Sequence, residues 1–288
     1  MNELLLHKNT AKQINNLLKN PPQALLIVGL SGSGKQAVAR YIASKIMRIK
    51  MDELESQPFY TQVNKPEGKQ DIPIDTVRQA IRNLSLKSKK FRIVHVKQAH
   101  LLNQESQNTL LKIMEEPPKK TVFILAVPSK SHVLPTIVSR TQAIQILPVT
   151  ISQARNYFGG KYKTEQINSA WNLSRGQAGL MTALLAESTQ HQLKIAVDSA
   201  KLFLKMNRYE RLIYLDKISG DKPRFAIFLD ALNRLLAALS TSAIKGDNNS
   251  QIRKIIAARR MVGRAQDGLE KNTSSKLLSL ELALKLPL

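Results

Sequence analysis

The 288-residue chain contains no cysteine. Disulfides and thiolate metal sites are therefore excluded, which fits a reducing compartment such as the cytoplasm. Aromatic residues make up only 5% of the chain, with one tryptophan, and this argues against an aromatic-lined binding face. The five histidines, His7, His95, His100, His132 and His191, never recur at i, i+4 spacing. No zinc or other metal site is expected. No apolar run approaches the ~20 residues that span a bilayer, and the N-terminus alternates charge with apolar residues, so neither a membrane partner nor a signal peptide is expected. Acidic residues are also scarce, at 21 against 44 Lys and Arg.

That imbalance leaves a formal charge of +23. It is shared by both halves, with 22 basic against 10 acidic residues up to Pro148 and 22 against 11 after it, so it belongs to folded segments and not to a tail. An anionic partner follows, nucleic acid before others, although a generally basic proteome would give the same balance. A hydrophobic content of 43% suffices for a sizeable core, and the length allows two domains or one with a large appendage.

The stretch Gly29-Leu30-Ser31-Gly32-Ser33-Gly34-Lys35 meets the G-x-x-x-x-G-K spacing of a phosphate-binding loop. It lies between an apolar strand pattern at Ala24 to Val28 and a helical pattern running from Lys35 to about Met51. That order lets backbone N–H groups and a helix N-terminus converge on one anion, with Lys35 neutralising the outer phosphates. The next residue is Gln36, where a Ser or Thr hydroxyl would hold Mg²⁺.

Around this motif the pattern alternates. A leading helix is expected over Asn2 to Leu18, further strands at Phe59 to Val63, Phe91 to Lys97, Thr121 to Val127 and Ala143 to Leu147, and helices at Asp75 to Ser85, capped by Asp75, and Asn103 to Glu116. Five short apolar strands alternating with helices predict an α/β fold, a parallel sheet covered on both faces with ligands at the strands' carboxyl ends. After Pro148 the patterns are helical only. Segments from Ile151, Thr164, Gln177 and Leu193 suggest a small bundle, and longer amphipathic helices from Tyr209, Lys222, Asn249 and Ser274 follow, the second and third separated at Gly246-Asp247-Asn248.

Hydrolysis by such a loop needs a carboxylate at a neighbouring strand end to hold Mg²⁺ and usually another to polarise water. The strand at Phe91 ends in Lys97-Gln98-Ala99-His100, which has none, and a cation there opposes metal binding. Glu115 and Glu116 lie at the far end of the following helix and read as structural.

Leu110-Leu111-Lys112-Ile113-Met114-Glu115-Glu116-Pro117-Pro118, then Phe123-Ile124-Leu125, then Leu134-Pro135-Thr136-Ile137-Val138-Ser139-Arg140-Thr141 resemble, in order and spacing, the central block of clamp-loader AAA+ subunits. The likeness is firm over residues 23 to 148 and looser beyond. It implies a P-loop AAA+ core over 1–148, a helical lid over 149–207 and a helical collar over 208–288 that joins other subunits in a five-membered ring. Such a ring opens a sliding clamp and places it on primer-template DNA. In the family the pair matching Ser139 and Arg140 presents an arginine to ATP on a neighbouring subunit, against the plainer account of an arginine pairing with a local carboxylate.

Departures from the family pattern accumulate on one side. Lys97 and Gln98 replace the acidic pair, the sensor position falls on Pro128 or Ser129, the second-sensor arginine aligns near Gly179, and the zinc module is absent, leaving Asp52 to Ser56. The resemblance thus implies a non-hydrolysing subunit that supplies Arg140 in trans. ATP or ADP would be held passively, if at all, at Gly29, Gly32, Gly34, Lys35 and Gln36. The alternatives are an active ATP-hydrolysing subunit and a basic DNA-binding adaptor outside replication. Lys87, Lys89, Lys90 and Arg92 form an available cluster for DNA, although a solvated loop is the better account of them.

Overall fold

The computed structural model describes residues 4–82, 84, 90–187, 191–245 and 249–287. It divides into two compact units, one formed by Met1–Tyr157 with Gln177–Gly179, the other by Phe158–Gly176 with Leu180–Leu288. Lys87 and Lys89, the segment Gly246-Asp247-Asn248, and Ser85 at the expected end of the Asp75 helix lie outside the described residues.

The first unit is built on a parallel sheet. Strands β1 (Ala24–Val28), β2 (Tyr60–Val63), β3 (Arg92–Val96), β4 (Thr121–Val127) and β5 (Gln142–Gln145) lie in the order β2-β3-β4-β1-β5. Every residue of β1, β3 and β4 is buried, as expected when both faces of a sheet are covered. Alternate side chains feed two cores. Leu26, Val94, Phe123 and Leu125 pack with Val77, Leu110 and Ile137 on one face. Leu25, Ile27, Ile93 and Ile124 pack with Ile14, Val38 and Ile42 on the other. These partners come from α1 (Lys8–Lys19), α2 (Lys35–Met47), α3 (Ile74–Arg82), α4 (Gln104–Glu115) and α5 (Pro135–Ser139).

Three boundaries differ from the sequence pattern. The first helix starts at Lys8, where the His7 ring accepts from the Asn9 N–H at 3.2 Å and so caps it. Asp75 lies inside the first turn of α3, where its carboxylate faces Arg78 at 3.6 Å, and does not cap it. The α2 helix closes at Met47 because Arg48 turns left-handed, with φ 57°. Arg92 also departs from its expected place in a surface cluster. It is 5% exposed and donates to the carbonyls of Leu84 and Lys119.

The first unit also holds α6 (Ile151–Phe158) up to Tyr157 and the first two residues of α8 (Ala178–Leu185), and the second is built from α7 (Thr164–Ser174), the rest of α8, α9 (Gln192–Phe203), α10 (Arg208–Ser219), α11 (Lys222–Lys245), α12 (Asn249–Glu270) and α13 (Ser275–Lys285). Local chemistry sets the starts. Asn207 accepts from the Glu210 N–H at 3.0 Å while the Glu210 carboxylate accepts from the Asn207 N–H at 2.8 Å, satisfying two end donors of α10 at once. One continuous core joins Val197 and Phe203 of α9 to Phe225, Phe228, Leu232 and Leu236 of α11 and Ile255 and Val262 of α12. By length and composition Lys222–Ile244 could cross a membrane, contrary to the expectation from apolar runs alone. Its largest apolar residues nevertheless form this core, and Arg224, Asp230 and Arg234 interrupt it.

His95 is the most confined titratable group of the sheet. It is 0% exposed, its Nδ1 lies 2.7 Å from the Tyr60 hydroxyl, and its Nε2 has no partner. Burial, then the charges of Lys97 and Arg40, lower its pKa to about 3. The neutral ring is the folded form, so acid favours the unfolded chain, and stability is lost as pH falls from about 6.5 towards 3. Denaturant unfolding of His95→Gln between pH 6 and 4 is expected to show a pH slope shallower by up to about 1.4 kcal/mol per unit than the parent. Parallel profiles would rule out this coupling.

Candidate functional site

The phosphate loop leaves β1 and enters α2 at the carboxyl end of the sheet. Two glycines make the turn possible, Gly32 with φ 81° and Gly34, the α2 cap, with φ 91°. The Lys35 ammonium folds back to donate to the carbonyls of Gly29 and, at 3.0 Å, Leu30. Burial lowers its pKa to about 8, so it remains a cation at neutral pH. Ser33 is 1% exposed and its hydroxyl is unpartnered, lying where a Cβ on Gly29 would be 2.7 Å away.

Gln36 occupies the metal-hydroxyl position and is used differently. Its amide nitrogen donates to the Lys97 carbonyl at 2.5 Å, tying the start of α2 to the end of β3. Beyond Lys97, a short turn places His100 with its ring 6.1 Å from that of His132. Burial first, then His132 and Lys35, lower His100 to about 4, so it is neutral at pH 7. Ser129, at the sensor position, bonds within its own turn to Ser131 at 3.0 Å. The five residues after each of β1, β3, β4 and β5 include no carboxylate.

This donor set suits the phosphates of a nucleotide and does not suit a divalent cation. The glycine backbone and Lys35 are anion ligands, and the unpaired Ser33 hydroxyl and Gln36 carbonyl oxygen are further polar atoms beside them. Mg²⁺ wants oxygen donors, including carboxylates, where this chain has Gln36, Lys97 and His100.

Gly179, which belongs to the first unit, lies against the loop. A Cβ at Gly179 would lie 2.8 Å from both the Gly32 carbonyl oxygen and the Gly34 nitrogen, and 2.9 Å from the Gly34 Cα. Three backbone atoms at that range leave room for hydrogen only. Position 179, near which the second-sensor arginine is expected from the resemblance, thus cannot carry a side chain in this arrangement. Arg175 is no substitute, since it caps α7 in a left-handed conformation with φ 53° and donates to the Asn233 carbonyl at 3.4 Å.

Arg140 lies elsewhere. It follows α5 and precedes β5, so it stands at the amino end of the sheet, while the phosphate loop follows β1 at the carboxyl end. Leu25 pairs with Gln142 and Val28 with Gln145 in parallel register, so roughly 10 Å of strand or more separates the two levels. Its guanidinium meets the Glu115 carboxylate at 2.9 Å and the Thr136 carbonyl at 3.3 Å, with the arginine side chain 41% exposed. The Ser139 hydroxyl donates to Thr136 O at 3.0 Å and does not touch Arg140. The Glu115 pairing matches the plainer of the two sequence accounts of Arg140. Its partner was not legible, because the two residues belong to different helices and meet only through the α4–β4–α5 excursion.

A parallel sheet in the order β2-β3-β4-β1-β5 with a phosphate loop after β1 and helices following defines a P-loop α/β protein of the AAA+ class. The fold matches the crystal structure of a DNA polymerase III gamma subunit-related protein from Thermotoga maritima with a TM-score of 0.55 at 19% identity, over 95% of this chain and 97% of that one. The family model described as DNA polymerase III, delta subunit, matches residues 6–150, and the chain belongs to that family. Similar relatives include DNA polymerase III subunit delta' of Haemophilus influenzae, 25% identical over 80% of this chain and 74% of that protein. Subunit delta' of Escherichia coli is 27% identical over 56% of this chain and 54% of that protein. Subunit gamma of Buchnera aphidicola is 27% identical over 53% of this chain and 45% of its own length. The matches thus span from just under half to about three quarters of these relatives. The chain is a delta'- and gamma-like member of the clamp-loader AAA+ proteins.

The Gly179 contact is open to a direct check. Gly179→Ala is expected to destabilise the chain by about 1–3 kcal/mol in thermal or denaturant unfolding, because the methyl meets backbone that cannot rotate away. Gly263→Ala, in the interior of α12 where a Cβ meets nothing within 4 Å, should instead stabilise by about 0.5–1 kcal/mol. Equal stabilisation at both positions would refute the close approach.

Proposed function

We propose that the chain is the non-hydrolysing, delta-prime-like subunit of a DNA polymerase III clamp loader. With 1–148 as AAA+ core, 149–207 as lid and 208–288 as collar, it would complete a hetero-pentameric ring in the cytoplasm that loads a sliding clamp on primer-template DNA. The observation that carries this reading is the charge at the strands' carboxyl ends, where Lys35, Lys97 and the neutral Gln36 and His100 stand and carboxylates are wanted. A nucleotide at Gly29, Gly32, Gly34, Lys35 and Gln36 would be held through its phosphates alone. The loop's backbone and Lys35 would orient them, and no residue there is placed to activate water.

Arg140 is the residue we assign to chemistry, with Ser139 beside it in the motif. Standing at the opposite end of the sheet from its own phosphate loop, it is unsuited to act in cis and free to meet a neighbour's phosphate. The half-exposed pair with Glu115 is worth at most about 1 kcal/mol, so a γ-phosphate can displace the carboxylate while Glu115 keeps the guanidinium extended until then. An arginine finger contributes roughly 10³ to 10⁵ in rate at the site it serves. Partner subunits are further supported by α13, where Leu277, Leu280 and Leu284 form an i, i+3, i+7 stripe 62%, 48% and 49% exposed, beside the 42% exposed Ile213 of α10.

The test is DNA-stimulated ATP hydrolysis by the loader reconstituted with its partner subunits. Arg140→Ala is expected to remove the turnover of one site while the complex still assembles, and Glu115→Gln to change the rate far less. An unchanged rate with Arg140→Ala in an intact complex would sink the finger. Turnover by the isolated chain that disappears with Lys35→Ala would instead make it an active ATPase.

A further inference from the structure

The α12 helix carries an uncompensated row of cations. Between Asn249 and Gln266 it has Arg253, Lys254, Arg259, Arg260 and Arg264 and no Asp or Glu. At 100° per residue, Arg253, Arg260 and Arg264 fall within about 40° of one another, with Ile256 and Ala257 between them on the same stripe. Arg253, Lys254, Arg260 and Arg264 are exposed and Arg259 is half-buried, while Ile256 is 41% exposed. Among the described residues, Arg253, Arg260 and Arg264 make no ion pair.

Beside this stripe α11 and α12 flank a shallow, open depression of about 280 Å³ lined by Asn233, Ile256, Arg259 and Arg260. Asn233 organises its back wall. Its side-chain oxygen accepts from Arg259 at 3.5 Å, its main-chain oxygen accepts from Arg175 at 3.4 Å, and its amide donates to Gln266 at 3.0 Å. Arg234 lies behind, engaged with Asp230 at 3.1 Å and with the Ser174 carbonyl at 3.0 Å. The guanidiniums of Arg234 and Arg259 both act on Arg175, and Asp230, the carboxylate that opposes them there, is already paired with Arg234. Burial, then Arg234, lower the Arg175 pKa, Asp230 opposes them, and Arg259 lowers it further. Like charges held this close are relieved by a bound anion.

We propose that the α12 stripe and the Asn233 depression bind the phosphodiester backbone of a single-stranded nucleic acid. Arg253 and Arg264 are separated by about 16 Å of helix, a length that suits successive phosphates of one strand better than a lone anion. Planar forked donors suit phosphate oxygens, and the exposed Ile256 between them offers an apolar surface for a sugar or base. The site belongs to the helical unit and depends neither on the phosphate loop nor on the clamp-loader reading.

The full chain is titrated into a fluorescein-labelled oligothymidylate of about 20 nucleotides, a length that exceeds the row of cations. The parent, the triple variant Arg253→Ala, Arg260→Ala, Arg264→Ala, and a charge-matched triple on α1, Lys8→Ala, Lys12→Ala, Lys19→Ala, are compared at several salt concentrations. The α12 triple is expected to weaken binding at least tenfold and to reduce the log–log salt slope by about 2, for three lost phosphate contacts on a single strand. The α1 triple should change affinity less than threefold. Arg253→Lys, Arg260→Lys, Arg264→Lys, which preserves the charge and the helix, should retain the salt slope and lose part of the affinity. The proposal is overturned by no measurable binding to the parent, by equal losses in the two alanine triples, or by an unaffected α12 triple. Displacement of the strand by polyglutamate or inorganic phosphate at matched charge would overturn it as well, pointing to an acidic peptide or a free anion.

Discussion

All strands of the sheet point the same way, and nearly everything about the first unit follows from that polarity. Hydrophobic runs buried on both faces force helices onto each side, so each strand must be followed by a return helix and each turn after a strand opens at the same end. Lys35, Lys97, His100 and Ser129 are thereby gathered at one end, although up to 94 positions separate them in sequence. The same rule sends Arg140 and Glu115 to the other end. A side chain in front of a strand and one behind its neighbour cannot share a ligand across the sheet. That separation decides which of the two ends Arg140 can serve.

At the carboxyl end, charge decides what the gathered residues can hold. Cations and neutral imidazole surround a loop whose backbone already favours anions, and no acid balances them. Polyphosphate fits such a set and a divalent metal does not. The Gln36 amide spends its donor on the Lys97 carbonyl, so the position that would carry a metal-bound hydroxyl has become a brace between α2 and β3.

Legibility followed burial. The strands β1 and β4 stand at the expected residues because five and six consecutive apolar positions between turn signals admit no other register. The edge strand β5 pairs on one side only and shifted by one or two residues. The first helix was overextended because Leu4, Leu5 and Leu6 continue the apolar count without continuing the helical period, and the His7 cap gives no apolar signal. Asp75 has the chemistry of a cap and sits two residues past the cap position, which falls on Pro73. Within the site, the loop and its missing partners could be read directly, since each is a local statement about residue type. The Glu115–Arg140 pair, the Gln36–Lys97 brace and the approach of Gly179 to the loop could not be, since each joins segments far apart in the chain.

Gly179 has a consequence for the history open to this site. Where only a hydrogen atom fits between two stretches of backbone, no side chain can be tried until the backbones part. An arginine introduced at 179 meets the loop before it can meet a phosphate, so its first effect is a cost in folding. A larger residue at 179 therefore requires a fixed order of change: main chain first, side chain afterwards. A position that tolerates nothing larger than glycine thus fixes how closely the two stretches of backbone lie.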